Sequence, residues 1–171
     1  MKVRNGFVSN SSSSSFVVIF PRKPNSSDEV KQWMFGNSEF MPCPYTYGDQ
    51  PSSYSTNEIA QTVWKDILEQ KPSSEEKALE EIRSGWFDGI PELPGFNLSE
   101  EEHDKAWENW ERKCKAVSKE VLDRFLQKHE FDPNVNVLYV FEYCDNDGHY
   151  FTTLEHGDTF RNLPHIKTSK H

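Results

Sequence analysis

Apolar residues along the chain fall into short blocks whose spacing changes from one block to the next. Phe16-Val17-Val18-Ile19-Phe20 is an uninterrupted apolar run closed by Pro21. So short a run, β-branched and aromatic, predicts a buried strand and not a helix. Residues 26–35 place Val30, Trp33 and Met34 on one face and predict a short helix with Ser27 as N-cap. Ser55, with Glu58 three residues on, opens a second helix whose stripe is Ile59, Val63 and Ile67, joined by Trp64 and Leu68. Pro72 ends it. Ser73 and Glu76 open a third helix, with Ala78, Leu79 and Ile82 facing inward. Ser99 and Glu102 cap a long helix that ends near Lys128. Its apolar positions, Trp107, Trp110, Cys114, Val117, Val121 and Phe125, recur at steps of three and four and predict one buried stripe. Tryptophans and a cysteine are poor coiled-coil knobs, so a globular core fits that stripe better.

Residues 135–143 predict another strand and Asp145-Asn146-Asp147-Gly148 a turn. Residues 149–155 then read as the returning arm of a β-hairpin, which the Asp-Gly pair favours. Residues 156–171 remain as a polar, histidine-rich tail. Strand 16–20, a helical middle over 26–129 and a hairpin over 135–155 predict the α+β class. The expected fold is a small, mostly antiparallel sheet, built from the N-terminal strand and the C-terminal hairpin and covered by several helices. A chain of 171 residues suits one domain, and at that length about 70% of the unfolded surface is buried without disulfide or metal.

Composition narrows the function classes. Twelve Phe, five Trp and six Tyr argue for a folded chain with an aromatic core. The net charge of -9, from 28 acidic against 19 basic residues, disfavours direct nucleic-acid binding and anionic membrane and can attract a basic partner. A solvated acidic surface is the plain reading of the same charge. Cys43, Cys114 and Cys144 are far apart with no CxxC spacing, which suits a reducing compartment. Residues 1–6 lack the apolar stretch of a secretory leader, and no window reaches the length of a membrane span, so a cytoplasmic protein is expected. No phosphate-binding glycine loop, nucleophile elbow or dinucleotide fingerprint occurs. Cys144 has His149 and Asp145 near it in sequence, as a Cys-His nucleophile requires, but a half-buried cysteine at a strand end is the commoner reading.

Two irregular stretches stand out. Residues 36–54 carry Pro42, Pro44, Gly48, Pro51 and several aromatics, a long connection of a kind that is often functional. Residues 85–98 are similarly aromatic and proline-punctuated. Tyr45, Tyr47, Trp86 and Phe87 are therefore candidates for binding a protein partner.

The N-terminus is the most distinctive segment. Five serines, residues 11–15, would ordinarily read as a flexible linker. Here they sit between Gly6-Phe7-Val8 and the apolar strand. Arg4, Asn10, Ser11, Ser12 and Ser13 are candidate ligand-binding residues, with hydroxyls lining a pocket or receiving an anion beside the guanidinium. Arg4-x-Gly6-Phe7-Val8-Ser9-Asn10-Ser11-Ser12-Ser13-Ser14-Ser15-Phe16 resembles a start shared by many small uncharacterised bacterial and phage proteins. The resemblance covers only these residues. It implies a bacterial or phage setting and a segment that is more than a linker, and it brings no activity with it.

Four of the six histidines, His149, His156, His165 and His171, fall near the C-terminus among Asp145, Asp147, Glu155 and Asp158. Imidazole and carboxylate together are the ligands of zinc, manganese and iron sites. Asp147, His156, Asp158 and His165 are the candidate metal ligands, with a divalent metal as the implied cofactor. The spacing matches no metal motif, and surface histidines are the plainer reading. An EF-hand fails on register: with Gly148 at the sixth position, Tyr143 and Leu154 occupy the first and twelfth.

Two functions follow from these residues. One is a binding or regulatory protein acting on a cellular or host protein. The alternative is a metal-dependent hydrolase of a phosphorylated or nucleotide-like substrate, which requires the serine strand and the histidine tail to meet.

Overall fold

A computed structural model describes residues 13–44, 51–85, 91–95, 99–144 and 149–170. In chain order the elements are β1 (Ser13–Phe20), α1 (Ser27–Phe35), β2 (Phe40–Pro42), β3 (Ser53–Ser55), α2 (Thr56–Glu69), α3 (Glu75–Ser84), α4 (Glu100–Lys128), β4 (Val137–Cys144), α5 (His149–His156) and β5 (His165–Lys170). The class is α+β, with a three-stranded sheet in the order β4-β1-β5 and a separate two-stranded ladder of β2 with β3. Every pairing is antiparallel.

The apolar run becomes β1 because the sheet has helices on both faces. Phe16, Val18 and Phe20 enter one core with Val30 and Met34 of α1, Ile59 and Val63 of α2, and Tyr139 and Phe141 of β4. Val17 and Ile19 enter a second core with Ala78 and Ile82 of α3 and Leu122 and Phe125 of α4. A strand covered on both sides needs no polar alternation, which is why this one reads as a continuous block. Ser13, Ser14 and Ser15 are part of it, and Ser14 and Ser15 are buried.

Local signals place the helices closely. Ser55 caps α2, and its side chain accepts a bond from the Asn57 N–H. Ser99 and Glu102 form the expected capping box on α4. Two caps move by one residue. Ser26 caps α1 and Ser74 caps α3, while the Ser73 N–H donates to the Leu138 carbonyl at 2.8 Å. Of the expected α4 stripe only Cys114 and Phe125 are buried, Val117 and Val121 are partly exposed, and Leu122, outside that stripe, is buried instead. Trp107 and Trp110 are half-exposed. Their indole N–H groups donate to His103 Nε2 and to the Pro91 carbonyl.

The C-terminal hairpin is corrected. Residues 149–156 are a helix, not a returning strand. Tyr150 and Leu154, four apart, share one helical face, a spacing that an alternation of two conceals. The second neighbour of β1 is β5, drawn from what reads as a polar tail. Its His165, Lys167 and Lys170 are ordinary for an edge strand, where charge discourages further pairing. None of the three cysteines is in a disulfide, and among the described residues no helix is long and apolar enough to cross a membrane.

Candidate functional site

The direction of the backbone along β4 defines the site. The Ile19 N–H bonds the Pro164 carbonyl on the β5 side of β1, and Ile19 is opposite Leu138. The Leu138 carbonyl accepts from Ser73, so it points away from β1. In an antiparallel ladder the N–H and C=O of one residue point the same way and alternate along the strand. The backbone groups of Val140 and Glu142 therefore also face outward. Among the described residues they receive no hydrogen bond.

These groups open onto a cleft. Helix α2 forms one wall with Thr62, Lys65 and Asp66, and α5 contributes Tyr150 and Phe151. The cavity measures 430 Å³. It leads past Thr62, Lys65 and Tyr150 into a second concavity of 450 Å³ bounded by Tyr54, Glu58 and Gln61. The Tyr54 and Tyr150 rings meet edge to face at 5.4 Å between centroids, and Tyr150 meets Phe151 the same way at 5.8 Å.

A hydrogen-bonded pair sits at the centre. Tyr143, its ring stacked on Phe141 in the core, donates its phenol to Asp66 Oδ2 at 3.0 Å. Asp66 lies one residue before the buried Ile67 of α2 and is itself half-buried. Burial pushes its carboxyl above the ordinary value, and the Tyr143 bond opposes that rise. Burial, the Asp66 charge and the same bond hold the Tyr143 phenol well above its ordinary range. Tyr150 OH lies 2.9 Å from Thr62 Oγ1, which itself donates to the Glu58 carbonyl at 3.1 Å. Burial, with Glu58 and Asp66 nearby, pushes the Tyr150 phenol up to about 12. Both phenols keep their protons at neutral pH. The cleft thus offers an open strand edge, aromatic faces and a carboxylate.

Of the residues singled out from sequence, the described ones lie elsewhere. Ser13 is opposite Cys144 on one side and Lys170 on the other, and its Oγ is 3.5 Å from Glu142 Oε1. Lys170 Nζ bridges Glu81 Oε1 at 2.6 Å and Glu142 Oε2 at 3.2 Å. Burial raises the Glu81 carboxyl, but the Lys170 ammonium and the Ser15 hydroxyl outweigh it and hold the group below its ordinary value. The last serines are accordingly small, buried strand residues beside an ion-paired cluster.

His156 ends α5, with Nε2 3.4 Å from Glu155 Oε1. Asp158 follows in an exposed turn. His165 Nδ1 lies 2.9 Å from the Leu163 carbonyl, and the ring packs against Phe16 and Phe160. Among the described residues no three His, Cys, Asp or Glu side chains are grouped as a metal requires. The serine strand does lie beside the tail, but His165 pairs with Val18, five residues along β1 from Ser13. At about 3.3 Å per residue that is roughly 16 Å. Arg4, Asn10, Ser11, Ser12, Tyr45, Tyr47, Trp86, Phe87 and Asp147 lie outside the described residues.

Asp66, Tyr143 and Tyr150 carry little sequence signal. Tyr143 reads as core, Asp66 as the polar flank of an amphipathic helix, and Tyr150 as a strand residue. Their contacts span 77 and 88 positions of sequence. Comparison with protein-family models, curated proteins and solved structures finds no match to this chain.

Proposed function

We propose that this chain is a binding protein that takes an extended segment of a partner protein along the outer edge of β4. The observation that carries the reading is the outward backbone of Val140 and Glu142, facing a cleft walled by α2 and α5. An added strand satisfies such groups with main-chain hydrogen bonds and sends alternate side chains into the adjoining pocket. The chain already begins this addition itself, because the Ser73 N–H bonds Leu138 at one end of the edge. The N-terminal resemblance supports a bacterial or phage setting, with a cellular or host protein as the partner. The absence of disulfides among Cys43, Cys114 and Cys144 is consistent with a cytoplasmic one.

Linear peptides selected from a displayed random library on the wild-type protein test this reading. Proline is tolerated where an edge-strand N–H faces outward, yet it removes the donor an added strand needs. Val140→Pro and Glu142→Pro, with thermal melts to confirm folding, are expected to lose the selected peptides. On the wild-type protein, peptide is expected to slow amide exchange at Val140 and Glu142. Peptides bound equally by both proline variants, with exchange at these amides unchanged, would overturn the proposal.

A further inference from the structure

We infer that the segment received along β4 presents an arginine to Asp66, so that the partner is recognised by a cationic side chain projecting into the α2 side of the cleft. This rests on the strand-addition reading above and adds its chemical specificity.

The geometry selects the position. A strand added beside β4 directs its side chains to the same two faces as β4 itself. Tyr143 and Phe141 project to the face covered by α2 and α5, and Glu142 to the face covered by α3. Every second residue of an added segment consequently points toward Asp66 and Tyr150. Asp66 Oδ2 is occupied by the Tyr143 phenol. Oδ1 accepts no hydrogen bond among the described residues.

The chemistry selects the side chain. Among the described residues, Glu58 and Asp66 stand along the two concavities against one cation, Lys65, while Glu142 is already paired with Lys170 on the other face. Lys65 is turned toward Glu69 at 3.9 Å on the exposed surface of α2. An ammonium would satisfy the charge alone. A guanidinium also places a flat face against Tyr150 and Phe151 while its N–H groups reach the carboxylate, a combination specific to arginine. Burial disfavours the ionised form of Asp66, so an incoming cation meets a carboxylate whose charge its surroundings compensate poorly. The net charge of -9 steers a basic segment toward the molecule. The same carboxylates repel a nucleic acid, and two β4 edges laid together would bring two copies of Glu142 near each other.

Peptides selected on the wild-type protein are expected to carry arginine at one fixed position of an alternating register. Replacing that arginine by neutral, isosteric citrulline is expected to weaken binding about ten-fold, as loss of one charge-assisted hydrogen bond does. Asp66→Asn should cost a similar factor, and against Asp66→Asn the arginine and citrulline peptides should bind alike, the signature of a direct pair in a double-mutant cycle. Selected peptides without basic enrichment, still lost on Val140→Pro, would overturn the arginine inference and leave strand addition standing. Peptides indifferent to Val140→Pro would remove both. Sedimentation of the protein alone provides the remaining arm, since self-association abolished by Val140→Pro would make a second copy the occupant.

Discussion

Tyr143 and Asp66 set each other's protonation across 77 positions of sequence. Tyr143→Phe removes the donor and leaves the half-buried carboxylate without the bond that opposes its desolvation. The Asp66 carboxyl should then titrate higher than in the wild type. Because its folded value is already raised, its contribution to stability is fully present below the ordinary value of 3.8 and is lost as pH rises through the folded value. Tyr143→Phe should move the upper end of that loss to higher pH. Following the Asp66 side-chain carbon shift against pH checks it, and an unchanged or lowered midpoint contradicts the role assigned to the phenol. None of this is legible one residue at a time. A tyrosine in an apolar strand and an aspartate beside a helical stripe are each unremarkable, and their contact is created only by tertiary packing.

Elements tell a different story, because much of what fixes them is local. Capping serines and acidic third positions marked three of the helices to within a residue, since the orphan N–H groups at a helix start demand such side chains wherever the helix lies. The apolar run of β1 was legible for a similar reason. The hairpin misled because Asp147-Gly148 is a strong local turn signal, while the competing partner of β1 is a polar segment with no apolar pattern to announce it. That partner, β5, is held by a close approach. A Cβ added to Gly85, at the end of α3, would lie 2.5 Å from Thr168 Cβ. Gly85→Ala should therefore lower the melting temperature more than Gly36→Ala. The latter meets no atom within 4 Å and carries only the strain of φ +57°, a cost of about 1–2 kcal/mol. Equal losses in thermal melts would show that α3 and β5 are not packed this tightly.

At the scale of the whole molecule, the proposed binding would draw on the acidic balance together with the β4 edge left unpaired among the described residues. The charge was fully legible in the composition; the edge was not, because the sequence placed a hairpin arm on it. A basic peptide bound at the cleft should dissociate more readily as salt rises, since surface attractions fade beyond a Debye length of about 8 Å at physiological ionic strength. Titrations of the selected peptide at increasing sodium chloride should give a steeper fall for the wild type than for Asp66→Asn. Parallel slopes would place the attraction in the general field and not in the cleft.

The strand order β4-β1-β5 also governs when the molecule can form. Phe20 pairs with Val137 and Ser13 with Lys170, so every ladder of the main sheet joins residues more than a hundred positions apart. Closing such loops is entropically costly, and topologies of this kind assemble late and slowly. On a ribosome, β1 emerges before either neighbouring strand and waits with both of its edges unpaired. Helices α1 to α4 have been made before either neighbouring strand exists. Until Lys170 leaves the exit tunnel the most apolar strand of the chain is incompletely paired, and that interval is the part of its life in which it depends most on whatever shields nascent chains from one another.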